Sequence, residues 1–154
     1  SPLGLEVETN SIDIKNKINN IDSSVKVEVK NVPNIVNENR KVWLKCGGFI
    51  TIDNTEALTA IDVNSGKFTG KNHLEDTVLK VNLEATSEIA KQIRLRDIGG
   101  IIIIDYIDMS NDEDKEKIIN KMKEVVKSDR SKIQILEFTK LGLLEMTRKH
   151  MLGR

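Results

Sequence analysis

The stretch Ile98-Gly-Gly-Ile-Ile-Ile-Ile-Asp-Tyr-Ile-Asp-Met109 decides the fold class. Its run of isoleucines is the longest apolar run in the chain and predicts a buried strand that ends at Asp105. The two glycines before the run predict the end of a helix, with one glycine in the left-handed conformation of a C-cap. The pattern therefore predicts a helix that leads directly into a buried strand.

A long amphipathic helix is predicted before these glycines. Apolar residues recur there at steps of three and four, which places them on one face of a helix. Asn72 is the predicted N-cap, because Glu75 follows at the spacing of a capping box. The predicted apolar face consists of Leu74, Val78, Val81, Ala85, Ile89 and Ile93.

A second helix and two strands are predicted after the isoleucine strand. Ser110 and Glu113 have the spacing of another capping box. The segment Ser128-Asp-Arg-Ser131 ends this helix, and Ile133–Phe138 and Leu143–Met146 are predicted strands. The predicted buried face of the helix consists of Ile118, Ile119, Met122, Val125 and Val126.

Three further strands are predicted before the first helix. The runs Lys41–Cys46 and Phe49–Asp53 flank Gly47-Gly48, which indicates a hairpin whose central residues both need a positive φ. Glu56–Val63 is the next predicted strand, so this region is expected to form an antiparallel meander. With the strand–helix–strand–helix–strand order that follows, the pattern predicts an α/β fold: a layered mixed sheet with an antiparallel hairpin edge and two main helices.

The first 39 residues follow a different pattern. Residues 1–4, Ser-Pro-Leu-Gly, are interpreted as a cloning remnant, and residues 5–39 are polar and rich in asparagine. Within them, Ile12–Ile21 is a candidate short helix and Val25–Lys30 a candidate half-exposed strand. Because the periodic pattern sharpens at Arg40, we expect the main domain to comprise residues 40–154.

Composition narrows the class of protein. The 154 residues are 38% hydrophobic, enough for one core, and 24 Lys+Arg balance 24 Asp+Glu. This balance argues against a globally basic nucleic-acid-binding protein, and no stretch approaches the ~20 apolar residues of a membrane span. The single cysteine rules out an internal disulfide framework, and a reducing cytoplasmic setting is the default. The aromatic residues are too few and too scattered to predict a base-stacking platform. They are Trp43, Phe49, Phe68, Tyr106 and Phe138.

Two aspartates lie at the ends of predicted strands. Asp62 follows an apolar strand and Asp105 closes the most apolar one. Ligands of open α/β sheets bind beyond the carboxyl ends of the strands, and two neighbouring carboxylates can hold Mg²⁺ together with several waters. Asn64 would share the face of Asp62 and orient a carboxylate, a water or a phosphate. A turn or helix-capping role for either aspartate fits the pattern equally well.

Other polar residues have simpler interpretations. Asp108 precedes the second helix, where an aspartate commonly caps backbone amides. Cys46 is interpreted as a small packed residue, and neither His73 nor His150 has a recognised catalytic spacing to it.

Basic residues are in local excess near the second helix. Between Lys115 and Lys132, seven basic residues stand against three acidic ones. A solvated helix face explains this excess, but a phosphate backbone would also use such residues for positioning. Lys67, Lys71, Arg94 and Arg96 add positive charge near Asp62 and the end of the first helix.

Seven motifs along the chain share one resemblance. They are Arg40-Lys-Val-Trp-Leu44, Gly47-Gly48, Thr55-Glu-Ala-Leu-Thr-Ala-Ile-Asp-Val-Asn64, Asn82-Leu-Glu-Ala85, Glu88-Ile-Ala-Lys-Gln-Ile-Arg-Leu-Arg-Asp-Ile-Gly-Gly100, Ile104-Asp-Tyr-Ile-Asp-Met109 and Gly142-Leu-Leu-Glu-Met-Thr-Arg148. Together they resemble the ribonuclease E/G family over roughly residues 40–150. The region corresponds to the deoxyribonuclease-I-like catalytic subdomain of that family.

The resemblance implies a function and a site. Family members are Mg²⁺-dependent bacterial endoribonucleases that cut single-stranded RNA during RNA processing and decay and leave 5′-phosphate ends. Their two metal-binding aspartates fall on Asp62 and Asp105, and their site asparagine falls on Asn64. These three are therefore the expected catalytic residues, and Mn²⁺ is the expected substitute metal. The candidate RNA-binding residues are Lys67, Lys71, Arg130 and Lys132.

Departures from the family pattern limit what this chain is expected to do. The family's OB-fold RNA-binding domain and 5′-monophosphate sensor are expected to lie outside it, and residues 5–39 match only weakly as the tail of the ribonuclease-H-like subdomain. The Cys-Pro-x-Cys zinc-link would lie beyond Arg154, so no zinc is expected here, although the family's dimers imply a homodimer of the full-length protein. The chain is expected to be a catalytic fragment or, alternatively, an interaction and dimerisation module that is nearly inactive in isolation. A metal-independent RNA-binding domain is disfavoured by the aromatic content and the net charge.

Overall fold

The structure is a computed structural model with two compact units, Ser1–Asn39 and Arg40–Arg154. The residues that it describes are 6–9, 26–29, 40–66 and 75–152. In the first unit, β1 (Glu6–Thr9) and β2 (Lys26–Val29) form a parallel pair. β2 confirms the strand predicted around it, whereas the predicted isoleucine-lined helix lies outside the described residues.

A mixed sheet of six strands forms the second unit. The strands are β3 (Lys41–Trp43), β4 (Phe49–Asn54), β5 (Thr59–Asn64), β6 (Gly100–Asp105), β7 (Ile133–Phe138) and β8 (Leu143–Arg148). They lie in the order β3-β4-β5-β6-β8-β7. The pair β5–β6 is parallel and every other neighbouring pair is antiparallel. The predicted mixed sheet with an antiparallel hairpin edge is confirmed.

Two helices pack against one face of this sheet. They are α1 (Glu75–Leu95) and α2 (Asp112–Val125), and a short 3₁₀ turn at Val126–Ser128 continues α2. Every second strand residue points toward them, as the alternation of a pleated strand requires. The core comprises Ile50, Ile52, Ile61, Val63, Ile102, Ile104, Leu144 and Met146 from the strands, and Val81, Ala85, Ile89, Ala90, Ile93, Ile118 and Met122 from the helices. Within the described ranges, neither helix is long and apolar enough to cross a membrane.

The other face of the sheet, which we call the open face, carries the alternate strand residues, and no described helix packs on it. Ile101 shows the consequence for the isoleucine run: its side chain is 48% exposed, whereas Ile102 and Ile104 are fully buried. The prediction of a buried strand therefore holds for one face of β6 only, because a single layer of helices covers this sheet.

The end of α1 differs from the prediction. Asp97, not a glycine, takes the left-handed conformation, with φ of 50°. The amide of Ile98 donates to the carbonyl of Ile93 at 2.9 Å and the amide of Asp97 donates to the carbonyl of Arg94 at 3.2 Å, which is the Schellman arrangement. The strain of Asp97 is compensated because its carboxylate accepts from the amides of Met151 at 2.8 Å and Leu152 at 3.3 Å.

The start of α2 also differs from the prediction. Asn111 is the N-cap, and its side-chain oxygen accepts from the amide of Asp114 at 2.8 Å. The predicted capping box of Ser110 and Glu113 is therefore shifted by one residue. Asp108, predicted as a cap, lies exposed in the loop after β6. The N-cap predicted for α1, Asn72, lies outside the described residues.

A buried ion-pair network joins both helices to β8. Arg148, on β8, donates to the Asp129 carboxylate at 2.9 and 3.2 Å, to the Asp97 carboxylate at 3.0 Å and to the carbonyl of Ile98 at 2.9 Å. Only 1% of the Arg148 side chain is exposed, so its charge depends on these partners. The network fixes the end of α1 and the loop after the 3₁₀ turn against the same strand.

Candidate functional site

Asp62 and Asp105 are direct neighbours on the open face. Asp62 lies in β5 and Asp105 ends β6, and the parallel register pairs the two residues with each other. Neighbouring strands lie about 4.8 Å apart, so the two side chains leave the sheet next to each other. Both are exposed. The sequence placed each aspartate near a strand end, and the structure brings the two together.

The two carboxylates repel each other. The pKa of Asp62 is raised above its ordinary value, because desolvation of its carboxyl group and the negative charge of Asp105 both disfavour the ionised form. A cation between the two groups would relieve this repulsion. The electrostatics of the pair therefore favour the binding of a positively charged ligand.

Asn64 contacts the pair from the same strand. Its side-chain Nδ2 donates to Oδ2 of Asp62 at 3.3 Å, which favours the ionised carboxylate and orients it. The two residues share the open face because they are two positions apart on β5. The structure thus brings together the three residues expected to be catalytic.

A third aspartate of the open face, Asp53, is neutralised by an arginine. The Arg40 guanidinium grips the carboxylate of Asp53 with both Nε and Nη2, the latter at 2.9 Å from Oδ2. This hydrogen bond lowers the pKa of Asp53 and keeps it ionised. The positive charge of Arg40 also extends to Asp62, whose ionised form it favours. The sequence shows that Arg40 lies just before β3, but it does not show that Asp53 is its partner.

The hairpin between β3 and β4 packs against the end of β5, where Asn64 lies. Gly47 has a φ of 99° and ends a three-residue turn that Leu44 and Gly48 close through a hydrogen bond of 2.8 Å. Gly48 is needed for a different reason: a Cβ there would lie 2.7 Å from the backbone oxygen of Asn64. The prediction that both glycines need a positive φ is therefore correct for the first only.

Asn82 on α1 fixes the loop that follows Asp105. Its buried side chain donates to the carbonyl of Ile107 at 2.9 Å and accepts from the amide of Ile107 at 3.1 Å. Thr86, one turn further along the helix, contacts the hydroxyl of Tyr106 at 2.7 Å. These contacts anchor the loop to the helix immediately beyond β6. Asn82 begins the Asn82–Ala85 motif, but nothing in its spacing indicated this role.

The other predicted site residues lie elsewhere. Arg130 and Lys132 are exposed just before β7. The first residue of β7 pairs with Arg148 on β8, and Arg148 pairs with Gly100, the first residue of β6. They therefore lie at the opposite end of β6 from Asp105, about 16 Å away along the strand. The structure does not bring them to the carboxylate pair, and their role in RNA binding stays a prediction. Lys67 and Lys71 lie outside the described residues.

Cys46 and His150 have structural surroundings. Cys46 is partly buried, its amide donates to Glu84 at 3.1 Å, and burial raises the pKa of its thiol. The His150 ring contacts the carbonyl of Asp97 at 2.9 Å and lies against Gly99. The hydrogen bonds of the two residues join different parts of the unit, Cys46 to α1 and His150 to the end of that helix.

The donor set at Asp62 and Asp105 fits a hard divalent cation. Among the described residues, no group of three or more His, Cys, Asp and Glu side chains is placed to hold a metal ion. A metal at this position would therefore rest on two carboxylates, with the Asn64 amide beside them. Mg²⁺ matches this set, because it is bound through one or two carboxylates and keeps several waters.

Comparison with known proteins places the chain in a family. The model of the "Ribonuclease E/G family" matches residues 6–151. The chain belongs to the ribonuclease E/G family. The chain is 50% identical over 110 residues to ribonuclease G of Salmonella typhimurium, and 49% identical over the same length to ribonuclease G of Escherichia coli K12. It is 51% identical over 112 residues to ribonuclease E of Buchnera aphidicola.

These matches cover most of this chain but a small part of each relative. They span 71% of the chain and 22% of either ribonuclease G, and 73% of the chain but 12% of the Buchnera ribonuclease E. The resemblance found in the motifs is thus confirmed as family membership. The activity of the full-length relatives is not thereby shown for this chain.

Proposed function

We propose that residues 40–154 form the catalytic unit of a Mg²⁺-dependent endoribonuclease that cleaves single-stranded RNA and leaves 5′-phosphate ends. The observation that carries this proposal is the pairing of Asp62 with Asp105 on the open face of a ribonuclease E/G family chain. Among the described residues both carboxylates are exposed, which suits access by an extended polymer.

The roles of the residues follow from their contacts. Asp62 and Asp105 would hold the metal, and Asn64 orients the Asp62 carboxylate through the 3.3 Å hydrogen bond. Arg40 neutralises Asp53, so Asp53 adds little negative charge beside the pair. When bound there, Mg²⁺ polarises a phosphodiester and lowers the pKa of a coordinated water.

Metal binding tests the site without relying on turnover. A titration with Mn²⁺, followed by the broadening of backbone amide signals in NMR spectra, should affect the ends of β5 and β6 first. We expect Asp62→Asn and Asp105→Asn each to weaken this binding at least ~10-fold, because a ligand is lost. Asp108→Asn, an exposed aspartate in the next loop, is the matched control and should leave it unchanged.

Cleavage tests the activity. A 5′-labelled single-stranded oligoribonucleotide should be cut in Mg²⁺ but not in EDTA, and either substitution in the pair should abolish cutting. Cleavage that persists in the Asp62→Asn chain would falsify the catalytic assignment. If neither substitution affects metal binding, Asp62 and Asp105 are not the metal ligands.

The alternative function is favoured by one observation. The chain spans 22% of the ribonuclease G relatives, so most of their length has no counterpart in it. An intact metal site without measurable cleavage would support an interaction and dimerisation module. Sedimentation equilibrium of the same sample would then show whether the chain is a dimer.

A further inference from the structure

An aromatic pair lies on the open face beside the carboxylates. Trp43 on β3 and Phe49 on β4 are paired in register, with ring centroids 5.1 Å apart and ring planes inclined by 58°. Trp43 is 60% exposed, so most of its indole surface faces solvent although a tryptophan is costly to leave in water. The two rings are six residues apart in the sequence, and only the hairpin brings them into contact.

A cation completes this cluster. The Nζ atom of Lys41 lies 4.2 Å from the Trp43 ring centroid and 4.0 Å from the Phe49 ring centroid. At this distance a cation–π interaction holds the ammonium over both rings. The cluster of Lys41, Trp43 and Phe49, which we call the aromatic cluster, therefore offers an apolar ring surface and a positive charge at one place.

The register of the sheet connects the aromatic cluster to the carboxylates. Cross-strand partners form two rows on the open face: Lys41–Thr51–Asp62–Asp105 and Trp43–Phe49–Asn64. Since strands are spaced by about 4.8 Å and residues by about 3.3 Å along a strand, Trp43 lies about 12 Å from Asp62, two strands across and two residues along. An extended RNA strand covers this distance in about two nucleotides.

We propose that the aromatic cluster binds a nucleotide about two positions along the RNA from the phosphodiester that the Asp62–Asp105 pair holds, with its base stacked on Trp43 and its phosphate near Lys41. The proposal rests on the proposed endoribonuclease function. Stacking on an aromatic ring accepts every base and is worth about 1–3 kcal/mol per base, while a lysine contributes the phosphate contact. A protein partner fits less well, because one exposed tryptophan supplies far less than the ~800 Å² that each side of a stable interface buries.

The intrinsic fluorescence of the chain tests the stacking directly. Trp43 is the single tryptophan, so all indole emission reports on this position. In EDTA at low salt, a ten-nucleotide single-stranded oligouridylate should quench this emission as it binds. Inorganic polyphosphate of equal charge, which has no bases, should quench it much less. Equal quenching by both ligands, or RNA binding without quenching, would overturn the proposal.

Variants separate stacking from other roles of Trp43. By fluorescence anisotropy of a labelled oligoribonucleotide, we expect Trp43→Ala to raise the Kd about 5- to 100-fold, and Trp43→Phe to restore most of the affinity. Leu141→Ala is the matched control, since Leu141 is 88% exposed in the turn between β7 and β8, and it should leave the Kd unchanged. An unchanged Kd in the Trp43→Ala chain would refute the proposal. Self-association of the chain that Trp43→Ala abolishes would also refute it, because Trp43 would then contact a second copy.

The experiment also distinguishes the proposal from the function on which it rests. Asp62→Asn should weaken Mn²⁺ binding at least ~10-fold but leave the Kd for RNA, measured by quenching, within about twofold, because base stacking does not need the metal. If Trp43→Ala has no effect while Asp62→Asn abolishes metal binding, the aromatic cluster is wrong and the metal site stands. If the reverse holds, the metal site is wrong and the chain binds RNA without it.

Discussion

At the scale of single residues, the geometry of the site depends on what the neighbouring backbone leaves room for. Asn64 orients Asp62, and the carbonyl oxygen of Asn64 lies where a Cβ on Gly48 would come within 2.7 Å. The hairpin turn can approach the end of β5 only because residue 48 has no side chain. The turn therefore supports the site at a distance from the carboxylates themselves.

We predict that Gly48→Ala weakens Mn²⁺ binding and lowers the free energy of unfolding by about 1–3 kcal/mol, because the overpacked backbone has to move. Gly100→Ala is the matched control: its φ of 88° makes alanine strained, but nothing lies within 4 Å of the added Cβ. It should cost about 1–2 kcal/mol and leave Mn²⁺ binding unchanged. Urea denaturation and the Mn²⁺ titration measure the two effects, and equal metal affinity in both variants would contradict the prediction.

At the scale of elements, the periodicity of the sequence predicted the strands and helices but not their ends. Apolar spacing is a local property, so β4, β6 and both helices could be located from it. Caps are decided by tertiary contacts: Asp97 adopts a left-handed conformation because Met151 and Leu152, distant in sequence, bind its carboxylate. Glycines nearby offered a simpler local solution that the fold does not use.

In the candidate site too, local sequence predicts some features and tertiary contacts decide the others. The resemblance placed the catalytic expectation on Asp62 and Asp105, and their strand-end positions agreed with it. The alignment of strands across the sheet decides two further features: Asp62 pairs with Asp105, and Trp43 contacts Phe49. These two aromatic residues are therefore neighbours although they are six positions apart in the sequence, because linear spacing says nothing about cross-strand neighbours.

The loop after β6 provides a prediction about an element. Asn82→Ala would leave the amide and the carbonyl of Ile107 without their partner, each at a cost of about 1–3 kcal/mol. We expect a loss of about 2 kcal/mol or more in the free energy of unfolding by urea denaturation, with the largest amide shift changes at Tyr106–Met109. Asn120→Ala, an exposed asparagine on α2, should cost under about 0.5 kcal/mol. A similar loss in both variants would show that Asn82 does not anchor the loop.

At the scale of the whole unit, the Arg148 network links stability to pH. The pKa of Asp97 is lowered by the amide of Met151 and by Arg148. The pKa of Asp129 is also lowered: desolvation opposes ionisation there, but the hydrogen bonds from Arg148 and the amide of Ser131 outweigh it. Both carboxyl groups thus hold their protons less tightly in the folded chain than in the unfolded one.

We predict that the free energy of unfolding is nearly constant from about pH 7 to 5 and falls below about pH 4, where the unfolded chain takes up protons first. The stabilisation is fully present above the unfolded pKa and is lost as pH falls through the folded values. Asp129→Asn should flatten this acid decline, while Glu137→Gln, an exposed residue of β7, should not. Urea denaturation from pH 7 to pH 3 measures the effect. An equally steep decline in the Asp129→Asn chain would exclude this network as its source.

The position of the two carboxylates within the sheet has a consequence for local opening. β5 and β6 are the central strands and are hydrogen-bonded on both sides, whereas β3, which carries Trp43, is an edge strand of three residues. Edges fray at a lower free energy than central strands, which separate only when the unit unfolds as a whole. We therefore expect the spacing of Asp62 and Asp105 to stay constant during local fluctuations of the sheet. Trp43 can shift in the same fluctuations, so its ring can adapt to a ligand while the carboxylates stay fixed.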